Sequence, residues 1–210
     1  SIGSRCTIVT NSSSNNSDGV DAEVIGFKDK RVYLMPLEPV YGINNDSLVL
    51  LKYLSSTVSL SAALLGRVIN AKGEPIDGKG PISLKNSHER NLYETGASPL
   101  ERPIISEKLD LGLRVLNGIT TCGKGQRVGI LAGSGVGKSI LLGMIARNTQ
   151  ADISVISLVG ERGREVREFI ERDLGEEGLK RSVIIVSTSD TSPLLRMRCA
   201  FLAATVAEYF

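Results

Sequence analysis

The chain has 210 residues, a length that predicts one to two domains and a sizeable core. Apolar residues at 41% and charged residues at 23% exclude a wholly disordered chain and a collagen-like one. Net charge is only +2, so bulk charge points to neither a nucleic-acid nor a polybasic membrane partner.

The first sixty residues read as β structure. Val20–Phe27 partly alternates apolar and polar, Lys28-Asp29-Lys30 is a polar turn, and Arg31–Leu37 is the returning strand, with Pro36 placing it at a sheet edge. Ser47–Tyr53 is a further candidate strand. Between Thr10 and Gly19 runs a stretch of Asn, Ser and Asp with nothing to bury, expected as a mobile hairpin loop. Short strands separated by turns predict a small N-terminal β-barrel or sandwich over 1–57.

Residues 61–105 read as transitional. Ser61 is placed to cap a short helix over Ala62–Leu65, which Gly66 interrupts. Gly73, Pro75, Gly78, Gly80 and Pro81 punctuate an irregular stretch. Pro99 and Pro103 flank Leu100-Glu101-Arg102 and predict an extended, stiff linker.

From about residue 112 the pattern becomes regular. Gln126–Leu131 is a short apolar strand, Lys138–Asn148 a helix, Ile153–Val159 a buried strand and Arg162–Leu174 a charged helix. The pairs Arg164/Glu168 and Arg167/Glu171 suit that helix at i,i+4. Val183–Val186 is another buried strand. Leu195, Cys199, Leu202, Val206 and Tyr209 then mark one face of a final helix. This order predicts right-handed crossovers and a largely parallel sheet over 58–210.

The sharpest motif is Ala132-Gly133-Ser134-Gly135-Val136-Gly137-Lys138-Ser139, placed between a predicted strand and a predicted helix. Glycines let successive backbone N–H groups turn inward, and the helix N-terminus adds about half a positive charge there. Lys138 supplies a full charge for the β- and γ-phosphates of a nucleotide, and the Ser139 hydroxyl suits a Mg²⁺ shell completed by water and phosphate oxygens. The first position holds Ala132 rather than the usual Gly, a change of one small residue for another.

Gly160-Glu161-Arg162-Gly163-Arg164-Glu165 follows the strand ending at Val159. Ligands of parallel α/β sheets lie beyond the carboxyl ends of the strands, which places Glu161 on the same sheet edge as Gly133–Ser139. A carboxylate there can orient and deprotonate water, worth about 10²–10⁴ in rate. Arg162 can neutralise charge on a transferring phosphoryl group. The alternative reading is a solvated helix start whose acids suit the macrodipole.

The remaining candidates read as structural. Cys6, Cys122 and Cys199 are odd in number with no CxxC pair, so neither a disulfide framework nor a zinc site is expected, and a reducing compartment is. His88 is the single histidine and reads as solvent-facing. Arg196 and Arg198 read as a solvated helix face or a subunit contact.

Residues 125–139, 160–169 and 207–210, with 64–68, 73–82 and 101–104 upstream, resemble the ATPases of type III protein export, most like the flagellar branch. The virulence-injectisome branch and the catalytic subunits of rotary ATP synthases are similar alternatives. The resemblance covers nearly the whole chain and is weakest over 1–20. It implies a RecA-like P-loop domain behind a small N-terminal β-barrel. It also implies a cytoplasmic, inner-membrane-associated homohexameric enzyme that uses ATP and Mg²⁺. Implied partners are export-gate membrane proteins, regulator or stator and stalk subunits, and chaperone–substrate complexes, with no nucleic acid. Carried over by residue, Ala132, Gly133, Ser134, Gly135, Val136, Gly137, Lys138 and Ser139 bind nucleotide, Ser139 contacts the metal, and Lys138, Glu161 and Arg162 are catalytic. In the family the Mg²⁺-organising Asp, the arginine finger and the adenine-binding aromatics lie beyond the position of Phe210. The resemblance therefore implies an internal piece of a longer enzyme, with negligible turnover by itself. A nucleotide-binding scaffold that does not hydrolyse, and a nucleic-acid translocase of similar core fold, are weaker readings. Glu161 speaks against the first and the scarcity of aromatics among basic residues against the second.

Overall fold

The computed structural model describes residues 1–9, 19–94, 96–133 and 135–210. The expected loop between Thr10 and Gly19 falls almost wholly outside them, as does Ser134 of the glycine-rich motif.

The N-terminal part is an antiparallel sheet of β1 (Arg5–Val9), β2 (Gly19–Lys28), β3 (Arg31–Pro36) and β4 (Leu48–Tyr53), ordered β3-β2-β1-β4. Alternating side chains give β1 and β2 an inner face that buries Cys6, Ile8, Ala22 and Val24. The turn between β2 and β3 holds Asp29 and Lys30 at positive φ, as a tight hairpin requires. The strand ending at Pro36 is an outer one, where a missing N–H costs no ladder bond. Among the described residues no ladder joins β3 to β4.

Residues 57–105 are more ordered than their composition suggested. β5 (Thr57–Leu60) pairs with β7 (His88–Asn91), and β6 (Val68–Asn70) enters the main sheet. Three residues are too few to show a periodicity, so only the tertiary partner makes β6 a strand. Ala62–Leu64 is a 3₁₀ turn, and Ser61 does not cap it; its hydroxyl donates to the Ser83 carbonyl at 2.7 Å. Pro99–Glu101 is also a 3₁₀ turn rather than extended chain, because Ser98 and Glu101 form a reciprocal capping box around it.

The second part is built on a parallel sheet ordered β10 (Ser154–Val159), β11 (Ser182–Ser187), β6. β11 is central and buried along its whole length, which explains its unbroken apolar run Val183–Val186. One side of this sheet carries α5 (Pro193–Tyr209), which buries Cys199, Leu202 and Val206 against Val183 and Ile185. The other side buries Ile156, Leu158, Ile184 and Val186 with Ala146, Phe169 and Leu174. Those last three come from α2 (Lys138–Asn148) and the helical run that follows β10. A shorter unit precedes α2: β8 (Lys108–Leu109) pairs with β9 (Cys122–Gly123), with α1 (Arg114–Gly118) between them.

Three expectations need correction. Gln126–Leu131 is not in a ladder among the described residues. It has no regular structure and is exposed, with Leu131 98% accessible. A strand needs a neighbour to take its backbone N–H and C=O groups, and the described sheet stops at β10. The charged helix is not uniform: α3 (Gly163–Glu168) passes into a π-helical turn over Phe169–Leu174 and then α4 (Gly175–Lys180). Arg167 pairs with Glu171 as expected, but Glu168 pairs with Arg172 rather than Arg164. Finally, Arg198 is not on a solvated face. It is 1% exposed, because α5 presses that position between the two parts of the chain.

Candidate nucleotide site

The site forms where α2 begins and β10 ends. Gly135 and Gly137 take φ of 75° and 92°, a region that L side chains rarely occupy. These reversals bring the chain into the first turn of α2, so the helix N-terminus opens on the loop's own cavity. Gly133 has no heavy atom within 4 Å of an added Cβ, so the loop is open on that side.

Helix α2 is held in place from below. A Cβ on Gly143 would lie 2.6 Å from the Asp173 carbonyl oxygen, so the helix backbone touches the π-turn directly. At its far end the Thr149 hydroxyl and the Gln150 N–H both donate to the Asp110 carbonyl, at 3.0 and 2.9 Å. The Asp110 carboxylate accepts from the Gly112 N–H and the Asn117 side chain, both at 2.6 Å, and these bonds hold it below the usual carboxylate range.

Glu161 follows β10 after Gly160, whose φ of 77° turns the chain away from the sheet. Two backbone bonds fix this corner. Gly160 N–H donates to the Ser187 carbonyl at 2.7 Å, and Ser189 N–H donates to the Glu161 carbonyl at 3.1 Å.

A cavity of about 410 Å³ lies between the two corners. Gly133, Gly135, Gly137, Lys138 and Ser139 form one wall, and Glu161, Glu165 and Glu168 the other. A deeper recess of about 230 Å³ continues to Ser157 and Leu158, again bounded by Lys138, Ser139 and Glu161. Lys138, Ser139 and Glu161 therefore share both spaces. Ala132 and Val136 are exposed and do not line the cavity. Arg162 does not line it either; its guanidinium lies 3.7 Å from Glu165 in an exposed ion pair.

The sequence reading passed over Glu165, Glu168, Phe169, Arg172 and Asp173, all of which line the cavity. Their signal was present. Glu165, Glu168 and Arg172 are spaced along one face of the helical run that follows Glu161, so a helix starting beside the loop brings that face with it. Asp173 is carried there by the π-turn, which no spacing rule anticipates.

Among the described residues no group of three or more His, Cys, Asp or Glu side chains is placed to hold a metal ion by itself. The Ser139 hydroxyl in a cavity with carboxylates opposite is a hard-oxygen donor set, and it fits an ion that keeps most of its waters.

Residues 112–210 match the family model for the ATP synthase alpha/beta family, nucleotide-binding domain. The whole chain is 48% identical to the flagellum-specific ATP synthase of Bacillus subtilis and 46% identical to that of Pseudomonas aeruginosa. It covers 47% and 46% of those proteins, so it spans about half the length of the curated relatives it matches. Among solved structures, all of the chain superposes on 48% of the assembled ATPase EscN from the enteropathogenic E. coli type III secretion system. The TM-score is 0.86 and the identity 41%. EscN in complex with its central stalk EscO matches with TM-score 0.85 at 40% identity, all of this chain covering 50% of that one. Over its whole length this chain is similar to the flagellum-specific ATP synthases and to the type III secretion ATPase EscN, and its residues 112–210 match the nucleotide-binding domain of the ATP synthase alpha/beta family.

Proposed function

We propose that this chain binds ATP between the Gly133–Ser139 loop and Glu161, and that hydrolysis there energises type III export of flagellar proteins. The observation that carries the reading is that Lys138, Ser139 and Glu161 together line both the cavity and its recess. An anionic triphosphate needs a cationic, amide-lined wall, and an in-line water needs a base facing it.

Backbone N–H groups of the loop and the Lys138 ammonium hold the β- and γ-phosphates. Ser139 would hold Mg²⁺, which when bound supplies charge neutralisation on the phosphate oxygens. Glu161 orients the attacking water and accepts its proton. Arg162 serves the transferring phosphoryl group after leaving Glu165, a small step because both side chains are exposed. Ala132 and Val136 belong to the same nucleotide-binding loop. In this reading residues 1–57 form a separate N-terminal domain and 58–210 the nucleotide-binding part.

The assembled state of EscN and its complex with a stalk support an oligomer with a stalk partner; we assign a homohexamer. Export-gate proteins, a regulator or stator and chaperone–substrate complexes are the further partners of this reading, at the cytoplasmic face of the inner membrane. No helix of the described residues is long and apolar enough to cross a membrane, which fits peripheral attachment. The virulence-type system is the second reading, favoured by the superposition on EscN. Identity of 46–48% to flagellar relatives over the whole chain, against 41% to EscN over the same length and 46% to another type III secretion ATPase over 74% of it, supports taking the flagellar reading first.

The test uses the full-length protein. Lys138→Ala should abolish binding of a fluorescent ATP analogue, and normal binding would remove the cradle. Glu161→Gln should bind ATP normally and hydrolyse it about 10²–10⁴ more slowly. An unchanged rate would remove the base.

A further inference from the structure

Arg198 is buried on α5, far along the chain from the motifs above. Its Nε donates to the Ala71 carbonyl at 3.0 Å and its Nη1 to the Ser56 hydroxyl at 3.1 Å. That hydroxyl donates in turn to Glu23 at 3.2 Å, and the Glu23 carboxylate lies 3.6 Å from Arg198. Glu23 sits on β2 of the N-terminal sheet and is only 4% exposed. A buried ion pair of this kind is weak evidence for stability, because desolvation offsets most of the attraction. What such a pair can specify is registry: each charge has one place where its partners are, and a slide of α5 would strand both. The Tyr93 hydroxyl is buried beside the same pair, and burial together with the Glu23 carboxylate pushes its pKa up.

Helix α5 reaches the candidate site by two routes. Its first turn is capped by Ser192, whose hydroxyl accepts from Leu195 N–H at 3.3 Å. The loop before that cap donates from Ser189 N–H to the Glu161 carbonyl, and is closed on β11 by the 2.6 Å bond between the Ser187 and Thr191 hydroxyls. Arg198 is five residues inside α5, about 7–8 Å along the axis from Pro193. Its neighbour Cys199 lies 3.4 Å from the Ser157 hydroxyl, and Ser157 lines the deeper recess on β10. The loop wall is carried by α2, which packs on the opposite face of the sheet from α5 and rests on Asp173 and Asp110.

We propose that Arg198, held by Glu23, is a positioning residue for Glu161: it ties the N-terminal sheet to the carboxylate wall of the cavity and sets that wall's distance from the phosphate loop. The inference deepens the nucleotide-site reading and rests on it. Displacing a catalytic group by about an ångström costs on the order of a hundredfold in rate while leaving the nucleotide's own contacts in place.

The experiment compares full-length wild type with Arg198→Lys, Arg198→Met, Glu23→Gln and the double variant Glu23→Gln/Arg198→Met. Readouts are steady-state ATP hydrolysis, nucleotide titration and amide hydrogen exchange. Arg198→Met and Glu23→Gln should each lower kcat by about ten- to a hundredfold, with KM and ATP affinity within about twofold. Exchange should quicken over 160–163 and 188–192. The double variant should be no slower than the worse single one, and Arg198→Lys should recover most of kcat. Loss of kcat and affinity together, with faster exchange throughout, would reduce Arg198 to a structural role and overturn the proposal. So would wild-type kcat and exchange in folded Glu23→Gln, which carries the test by itself if Arg198→Met does not fold. The exchange readout needs no turnover. If Glu161→Gln hydrolyses ATP normally, the catalytic reading falls, while exchange over 160–163 still reports whether Arg198 holds that corner.

Discussion

Gly143 offers the sharpest test of how the phosphate loop is held. A Cβ at this position would meet the Asp173 carbonyl oxygen at 2.6 Å, its Cβ at 2.8 Å and its carbonyl carbon at 2.9 Å. Ordinary contact begins near 3.4 Å, so Gly143→Ala forces α2 and the π-turn apart by about 0.8 Å. Two of the three atoms are backbone, so no side-chain rotation relieves the clash. Overpacking of this kind costs typically about 1–3 kcal/mol, and a backbone clash belongs at the upper end. Alanine is about 1 kcal/mol better than glycine inside a helix, which offsets part of it. The net expectation is a loss of about 1–2 kcal/mol. For a unit of this size that lowers Tm by about 2–8 °C. Thermal unfolding by circular dichroism measures it. The same shift moves Lys138 and Ser139 relative to Asp173 across the cavity, so ATP affinity should weaken as well. An unchanged or raised Tm would mean that propensity outweighs the clash, and that α2 does not rest on Asp173 as described.

Three further outcomes follow from other contacts. Hydrogen bonds from Arg67 hold the Asp77 carboxyl far below its ordinary range, with backbone bonds from Lys79 and Val68 adding to the effect. A depressed carboxylate stabilises the fold above its unfolded pKa of about 3.9 and loses that contribution as pH falls through the folded value. Acid unfolding of Asp77→Asn should therefore show a smaller pH dependence below about pH 4 than wild type, and matching slopes would contradict the pairing. Ser192→Ala removes the cap of α5 and should cost about 1 kcal/mol in urea unfolding; an unchanged midpoint would show that Pro193 suffices to start the helix. Leu202→Ala leaves a hole where α5 meets β11 and should cost about 2–5 kcal/mol, and a loss under about 1 kcal/mol would place α5 off the sheet.

The sequence by itself determined the chemistry and the local shapes. Positive φ is tolerated by glycine, so the alternation Gly133-x-Gly135-x-Gly137 before Lys138-Ser139 specifies an amide-lined turn wherever it falls. The apolar run Val183–Val186 could only be a strand covered on both faces. The 195-199-202-206 spacing could only be one face of a helix. Glu161 was legible because it follows a buried strand, and ligands of such sheets gather beyond strand ends. What the tertiary structure decided depended on partners distant in the chain. Val68–Asn70 is a strand because β11 lies beside it, and among the described residues Gln126–Leu131 joins no ladder. Asp173 reaches the cavity through a π-turn set by packing on Gly143. Arg198 shows the limit most plainly. Next to Cys199 on an amphipathic helix it reads as solvated, since burying a lone guanidinium is prohibitive. Only a carboxylate 175 residues earlier, brought across by the fold, makes the interior its lowest-energy place.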